Sequence, residues 1–219
     1  MKLIADNLTI DRGGRRVFQG LSFSLDSAAA LVVTGANGIG KSSLLRTLAG
    51  LVTLAKGEIR LEGGEVERLP QEHAHYFGHQ DAVKPALSVL ENLKFWQSFA
   101  SPAKVSGFGE TGRSPMDALE TLGIGHTAHL PAAYLSAGQK RRLSLSRLLV
   151  TPRPIWLMDE PTSALDKTSE KQLLDLMNTH LSDGGMIITA THTELALNNP
   201  KNLHLEAAAP DAVAPEEMI

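Results

Sequence analysis

The chain has 219 residues, 42% of them hydrophobic, with 21 Lys and Arg against 24 Asp and Glu for a formal net charge of −3, and it contains no cysteine. That length accommodates one large α/β core with a small inserted lobe. The charge balance lacks the basic footprint of a dedicated nucleic-acid binder, and the absence of thiols excludes a disulfide framework and a thiolate metal site.

The opening Met1-Lys2-Leu3-Ile4-Ala5-Asp6 has no signal-peptide core and no apolar run reaches the length of a bilayer span, so no direct membrane insertion is expected. Lys2 to Ile10 and Val17 to Leu25 alternate apolar and polar residues across Arg12-Gly13-Gly14-Arg15, which predicts an antiparallel start. Ala29 to Val33 reads as a buried strand, and Ser43 to Leu48 as a helix. Gly57 introduces a short strand around Ile59 and Leu61, Gly63-Gly64 turns the chain, and another strand lies near Tyr76 and Phe77. Ser88-Val89-Leu90-Glu91 is a capping box that opens a helix through Phe99, and the Gly-, Pro- and Ser-rich Ser101 to Ser114 reads as a loose loop. Together these predict a helical lobe over about 82–150, inserted in a single domain spanning 1–206. The α/β pattern resumes with a strand over Ile155 to Met158, a helix over Thr168 to His180 and a strand over Met186 to Ala190, before a flexible tail over 207–219.

Gly35-Ala36-Asn37-Gly38-Ile39-Gly40-Lys41-Ser42 fits G-x-x-x-x-G-K-[ST] between a predicted strand and a predicted helix, the context of a phosphate-binding P-loop. Glycines let backbone N–H groups curl around a β-phosphate, the helix N-terminus adds its positive dipole end, Lys41 reaches the β- and γ-oxygens, and the Ser42 hydroxyl suits Mg²⁺, with Ser43 next to it. Asp159 closes a buried strand at its carboxyl end, where acids face the ligand crevice of an open α/β sheet, which suits Mg²⁺. Glu160, one residue further out, is the candidate general base for the water that attacks a γ-phosphate.

The ordered set of Gly35 to Ser42, Gln80, Leu135-Ser136-Ala137-Gly138-Gln139, Ile155 to Asp159, Glu160, Ser163-Ala164-Leu165-Asp166 and His192 resembles the ATP-binding subunit of an ABC transporter, over about Leu3 to Leu205. The resemblance implies a mostly parallel core sheet, an N-terminal antiparallel β subdomain and the helical lobe, with ATP and Mg²⁺ as ligands. It implies that Gln80 ligates Mg²⁺ and the attacking water while linking core to lobe, and that His192 reaches the γ-phosphate and orients Glu160. It implies a head-to-tail homodimer in which Ser136, Gly138 and Gln139 of one subunit complete the nucleotide site of the other, with Asp166 at the seam.

Within that family, Gly78-His79-Gln80-Asp81 through Glu91-Asn92-Leu93-Lys94-Phe95-Trp96, and Tyr134 to Arg142 with Ala137 in place of a glycine, resemble the cytochrome c maturation branch. This implies a peripheral ATPase on the cytoplasmic face of a bacterial inner membrane, paired with an integral CcmB-like permease and serving haem export or release of a haem-loaded chaperone. The alternative is the ATPase subunit of another transporter. Most relatives stack adenine on an aromatic residue about where this chain has Arg12, which leaves two alternatives, stacking by the Arg12 guanidinium plane or weak base selectivity. His73, His75 and His79 are read as solvated or loosely packed, Arg12 to Arg16 and Lys140-Arg141-Arg142 as solvated faces, and Phe95, Trp96 and Phe99 as core or a docking surface.

Overall fold

A computed structural model describes residues 1–99, 108, 112–198 and 200–206. The expected tail and most of the loop over Ser101 to Ser114 lie outside the described residues. Strands β1 (Lys2–Arg12) and β2 (Arg15–Asp26) form the antiparallel hairpin expected from the sequence, and β4 (Lys56–Glu62) pairs antiparallel with β1 on its other side. Gly57 lies inside β4 rather than ahead of it: its φ of +92° marks the irregularity where the β1–β4 register slips between Asp6 and Thr9. A Cβ there would meet the Asn7 carbonyl oxygen at 2.4 Å.

The second sheet is parallel. Strands β3 (Ala30–Thr34), β5 (Ala74–Phe77), β6 (Ile155–Asp159), β7 (Met186–Ala190) and β8 (Lys201–His204) lie in the order β5-β6-β7-β3-β8. Strand β8 is too short and polar to show periodicity, and only its backbone pairing with β3 defines it. Helices α1 (Lys41–Leu48) and α5 (Lys167–Ser182) belong to the core, and α2 (Val89–Phe99), α3 (Pro115–Thr121) and α4 (Ala137–Val150) pack on one another between β5 and β6 in the chain.

Period-two alternation splits β6 between two hydrophobic layers. Ile155 and Leu157 join Leu44, Leu45, Leu8 and Ile10 under the antiparallel sheet, whereas Trp156 and Met158 join Leu93, Leu119, Leu143 and Met177 under the helices. Each fully buried Leu or Ile contributes about 1.5–3 kcal/mol relative to exposure. The capping box forms as expected: Glu91 N–H donates to Ser88 Oγ at 3.2 Å, and Ser88 N–H donates to the Glu91 carboxylate at 2.8 Å.

His73 and His75 depart from the solvated reading, and His180, at the end of α5, is buried as well. His73 is buried, and its Nε2 accepts from Glu65 N–H at 3.0 Å. His75 is buried with Nε2 bonded to the Thr151 carbonyl, and burial pushes its pKa down to about 3. His180 stacks on Trp156 with ring centroids 3.9 Å apart, and burial pushes its pKa down to about 4. Only His79 of the expected trio is exposed. The apolar layers close over these rings because an uncharged imidazole is an acceptable core residue once hydrogen-bonded or stacked.

Both lowered values lie below the unfolded-state value of 6.5, so the unfolded chain takes up protons that the native chain refuses. Stability is therefore full above pH 6.5 and falls as pH drops towards about 4, by up to about 1.4 kcal/mol per pH unit for each histidine. Urea unfolding of His180→Phe at about pH 7 and pH 5 should show a shallower loss than the parent by about one proton equivalent. Equal slopes in parent and variant would exclude His180 as a source of acid sensitivity.

Candidate functional site

The parallel sheet brings the carboxyl ends of β3, β6 and β7 level, with Asp159 paired to Ala190 and Val33 paired to Ala190 from the other side. Three loops leave that edge side by side. Asn37, Gly38, Gly40, Lys41, Ser42 and Ser43 come from the first, Asp159, Glu160 and Ser163 from the second, and His192 from the third, and with Arg12 and His79 they line one cavity of about 570 Å³.

The loop after β3 is held open by its own lysine. Lys41 is only 7% exposed, and its Nζ donates to the Gly35 carbonyl at 2.8 Å and the Ala36 carbonyl at 3.1 Å. Gly40 opens α1 with φ +115°, and a Cβ there would lie 2.3 Å from Val17 Cγ1, so packing against β2 demands glycine. Ile39 donates its N–H to the Ala36 carbonyl at 3.3 Å and turns its side chain into the layer beneath the antiparallel sheet.

Asp159 is buried at the end of β6. Glu160 then turns into the left-handed region at φ +47° while its N–H still donates to the Ala190 carbonyl at 2.9 Å, continuing the β7 ladder. A non-glycine residue held there stores strain of about 1–3 kcal/mol, the kind of outlier that clusters at functional sites. The Glu160 Oε1 lies 3.7 Å from His192 Nε2. His192 is presented by a turn in which Thr193 N–H donates to Thr191 Oγ1 at 3.1 Å. This cavity thus joins a buried cation, a hydroxyl, a buried carboxylate and a more exposed carboxylate–imidazole pair, a set suited to binding phosphates and deprotonating water.

The remaining expected residues lie elsewhere. Gln80 is exposed and lines a separate cavity of about 570 Å³ with Tyr76, Trp96, Phe99, Arg46 and Arg147. Ser136 is the N-cap of α4: its Oγ accepts from Gln139 N–H at 3.2 Å and Gln139 Oε1 accepts from Ser136 N–H at 2.9 Å, with Gly138 half-buried between them. This face does not reach the phosphate cavity of its own chain. Asp166 caps α5, and bonds from the Ser169 N–H and hydroxyl hold its carboxyl below the usual range.

Arg141 corrects the reading of Lys140-Arg141-Arg142 as a solvated face: it is 4% exposed, and its Nη2 donates to the Glu160 carbonyl at 2.7 Å. The signal was its place on the buried stripe of α4, in line with Leu145 and Leu148. Phe95 and Phe99 stack on each other and Trp96 meets both edge-to-face, with Phe99 71% exposed and Arg147 over the Trp96 ring.

Comparison with known proteins agrees with this geometry. The model of the ABC transporter family matches residues 18–163. The cytochrome c biogenesis ATP-binding export protein CcmA of Nitrobacter winogradskyi is 54% identical over 197 residues, covering 90% of this chain and 94% of that protein. The protein of the same name from a Chelativorans species is 49% identical over 209 residues, covering 94% and 99%. Among solved structures, an ABC transporter ATP-binding protein from Pyrococcus furiosus superposes with a TM-score of 0.76 at 24% identity, covering 94% of this chain and 98% of that one, a likeness of fold.

The cavity lining contains no Phe, Tyr or Trp among the described residues, and Arg12 lies both there and, with Arg15 and Arg16, on an adjoining hollow of about 370 Å³. A guanidinium plane stacks on any purine and reads neither edge. Titration with adenosine and guanosine triphosphates should therefore give affinities within about a hundredfold, or about 2.7 kcal/mol. A larger preference for adenine would mean that another group reads the base.

Proposed function

The chain belongs to the ABC transporter family of ATP-binding proteins, and on that premise we propose that it is the ATPase of a cytochrome c maturation export complex. The observation that carries the chemistry is the gathering of Lys41, Ser42, Asp159, Glu160 and His192 around one cavity. The pathway follows from relatives about half identical over nearly the whole chain.

Lys41 already sits among the loop carbonyls, so a bound triphosphate exchanges those two weak acceptors for anionic oxygens without moving the helix. Backbone N–H groups from Gly38 to Ser42, with Gly35, Ala36, Asn37 and Ile39 shaping the loop, cradle the phosphates. Ser42 and Asp159 offer the hard oxygen donors that Mg²⁺ prefers, and both face the cavity. That ion supplies charge neutralisation at the β- and γ-oxygens when bound. Glu160 accepts the proton of the attacking water, and His192 orients its carboxylate.

Gln80 and the Ser136-Gly138-Gln139 helix end are the parts of the reading that need a second subunit or a closed state. The Ser136 oxygen is engaged as an acceptor, which leaves its hydroxyl hydrogen to donate. The exposed end of α4 suits the γ-phosphate of a second copy in a head-to-tail homodimer, with Asp166 near the seam. Residues 1–206 act as one domain, with 82–150 as the lobe that senses closure. The aromatic cluster and Gln80 share the cavity between core and lobe, which suits a docking segment of a CcmB-like permease, so the subunit sits on the cytoplasmic face of the inner membrane. Hydrolysis then drives haem export or release of a haem-loaded chaperone. No helix among the described residues is long and apolar enough to cross a membrane.

Glu160→Gln should lower steady-state phosphate release about a hundredfold or more while leaving ATP affinity within a few-fold. Lys41→Ala should instead weaken ATP binding itself, seen by titration. Undiminished turnover in Glu160→Gln would remove Glu160 from the role of base. Affinity purification of tagged Glu160→Gln with ATP from gently solubilised native membranes should recover a CcmB-like membrane subunit, and Phe99→Asp in that background should lower the yield. Recovery of a different permease would keep the ATPase and discard the haem pathway.

A further inference from the structure

Arg141 is a buried charge with partners on the Gln80 loop, the end of β6 and the Phe77 ring, and it is not among the expected site residues. It projects from the second turn of α4, five residues after the cap Ser136, and is 4% exposed. Its Nη1 donates to the Gly78 carbonyl at 2.9 Å and lies 3.3 Å from Asp81 Oδ1, so one arm of the fork grips both flanks of Gln80. Its Nη2 donates to the Glu160 carbonyl at 2.7 Å and approaches the Asp159 carbonyl at 3.4 Å. Its plane rests on the Phe77 ring, with the guanidinium carbon 3.9 Å from the centroid.

The consequence falls on Glu160. Its N–H is fixed by the Ala190 carbonyl, while its own carbonyl is fixed by Arg141 and by Ser163 N–H at 3.2 Å. A left-handed φ of +47° in a residue with a side chain persists only when the surroundings over-determine it, and these bonds at both ends do so. The peptide plane in turn fixes the direction of the Glu160 side chain towards His192.

We infer that Arg141 is a positioning residue for hydrolysis: its planar fork ties helix α4 and the Gln80 loop to the backbone of Glu160, and so holds the catalytic carboxylate in its working direction. The inference rests on the reading of Glu160 as the general base. A planar fork suits this place because its two Nη groups, held apart on one rigid plane, reach the Gly78 and Glu160 carbonyls separately, whereas a lysine ammonium carries all its donors on one nitrogen. The same connection ties the position of the lobe to the base: a shift of α4 relative to the core pulls on the Glu160 carbonyl through one side chain.

The experiment compares the full-length parent, Arg141→Lys, Asp81→Asn and Glu160→Gln in phosphate release, ATP KM and the stoichiometry of bound nucleotide, which counts folded chains. Arg141→Lys keeps a buried cation beside Asp81, so it should bind one nucleotide per chain with KM within about twofold, while kcat falls about ten- to hundredfold. Asp81→Asn leaves both carbonyl bonds in place and should keep kcat within about twofold. The inference is overturned if Arg141→Lys retains parental kcat. It is equally overturned if Asp81→Asn loses as much as Arg141→Lys, because the ion pair alone would then carry the effect, or if kcat per folded chain is unchanged and only stoichiometry falls. Parental turnover in Glu160→Gln would sink the reading of the base itself, which is separable from an inactive Glu160→Gln accompanied by a fully active Arg141→Lys.

Discussion

The parallel register of three short strands is the constraint on which the rest of the molecule depends. Strands β3, β6 and β7 have five residues each and are buried on both faces, so their carboxyl ends finish at one level. The cavity groups proposed to meet phosphate or water leave the sheet at that edge: Lys41 and Ser42 after β3, Asp159 and Glu160 after β6, His192 after β7. A slip of one residue in β6 would exchange its two hydrophobic sets between the layers and carry Asp159 off the edge. Register and chemistry are therefore fixed by the same apolar burial, and the two hydrophobic layers act as the clamp.

The second constraint is electrostatic and runs between layers. Lys41 and Arg141 are cations buried at 7% and 4% exposure, and each is satisfied chiefly by backbone carbonyls rather than by a full ion pair. This arrangement has different consequences at the two positions. Around Lys41 the carbonyl partners are replaceable, so an anion of higher charge density displaces them at little reorganisation. Around Arg141 the carbonyls belong to peptide units already committed to the sheet edge, and the bonds hold those peptides still.

Much of this was legible in the residues, for identifiable reasons. The hairpin, the buried strands and the capped helix starting at Ser88 follow from local periodicity and turn chemistry, and they recur within a few residues of the expected bounds. The grouping of Lys41, Ser42, Asp159, Glu160 and His192 was legible because a parallel sheet converts scattered motifs into neighbours. What local reading missed is non-local. Strand β8 exists only by pairing with β3, His75 is buried because Thr151 meets it from across the fold, and Arg141 is a core residue because Gly78 and Glu160 converge on it. Charge content assigned Lys140-Arg141-Arg142 to solvent, whereas the helical stripe through Leu145 and Leu148 decided otherwise for the middle residue.

The residues of the proposed site fall into two groups, one around the cavity and one on the lobe. The cavity has its cation, its metal-suited oxygens and the proposed base in one frame set by the sheet, whereas Gln80 and the Ser136 helix end stand on the lobe side and do not line that cavity. A site that binds before it is complete couples nucleotide occupancy to any motion that brings the missing groups in, and the coupling energy is the difference in nucleotide affinity between the open and completed states. Arg141 belongs covalently to the lobe helix and by hydrogen bonds to the sheet edge at once, so any shift of α4 against the core would bear directly on the Glu160 carbonyl.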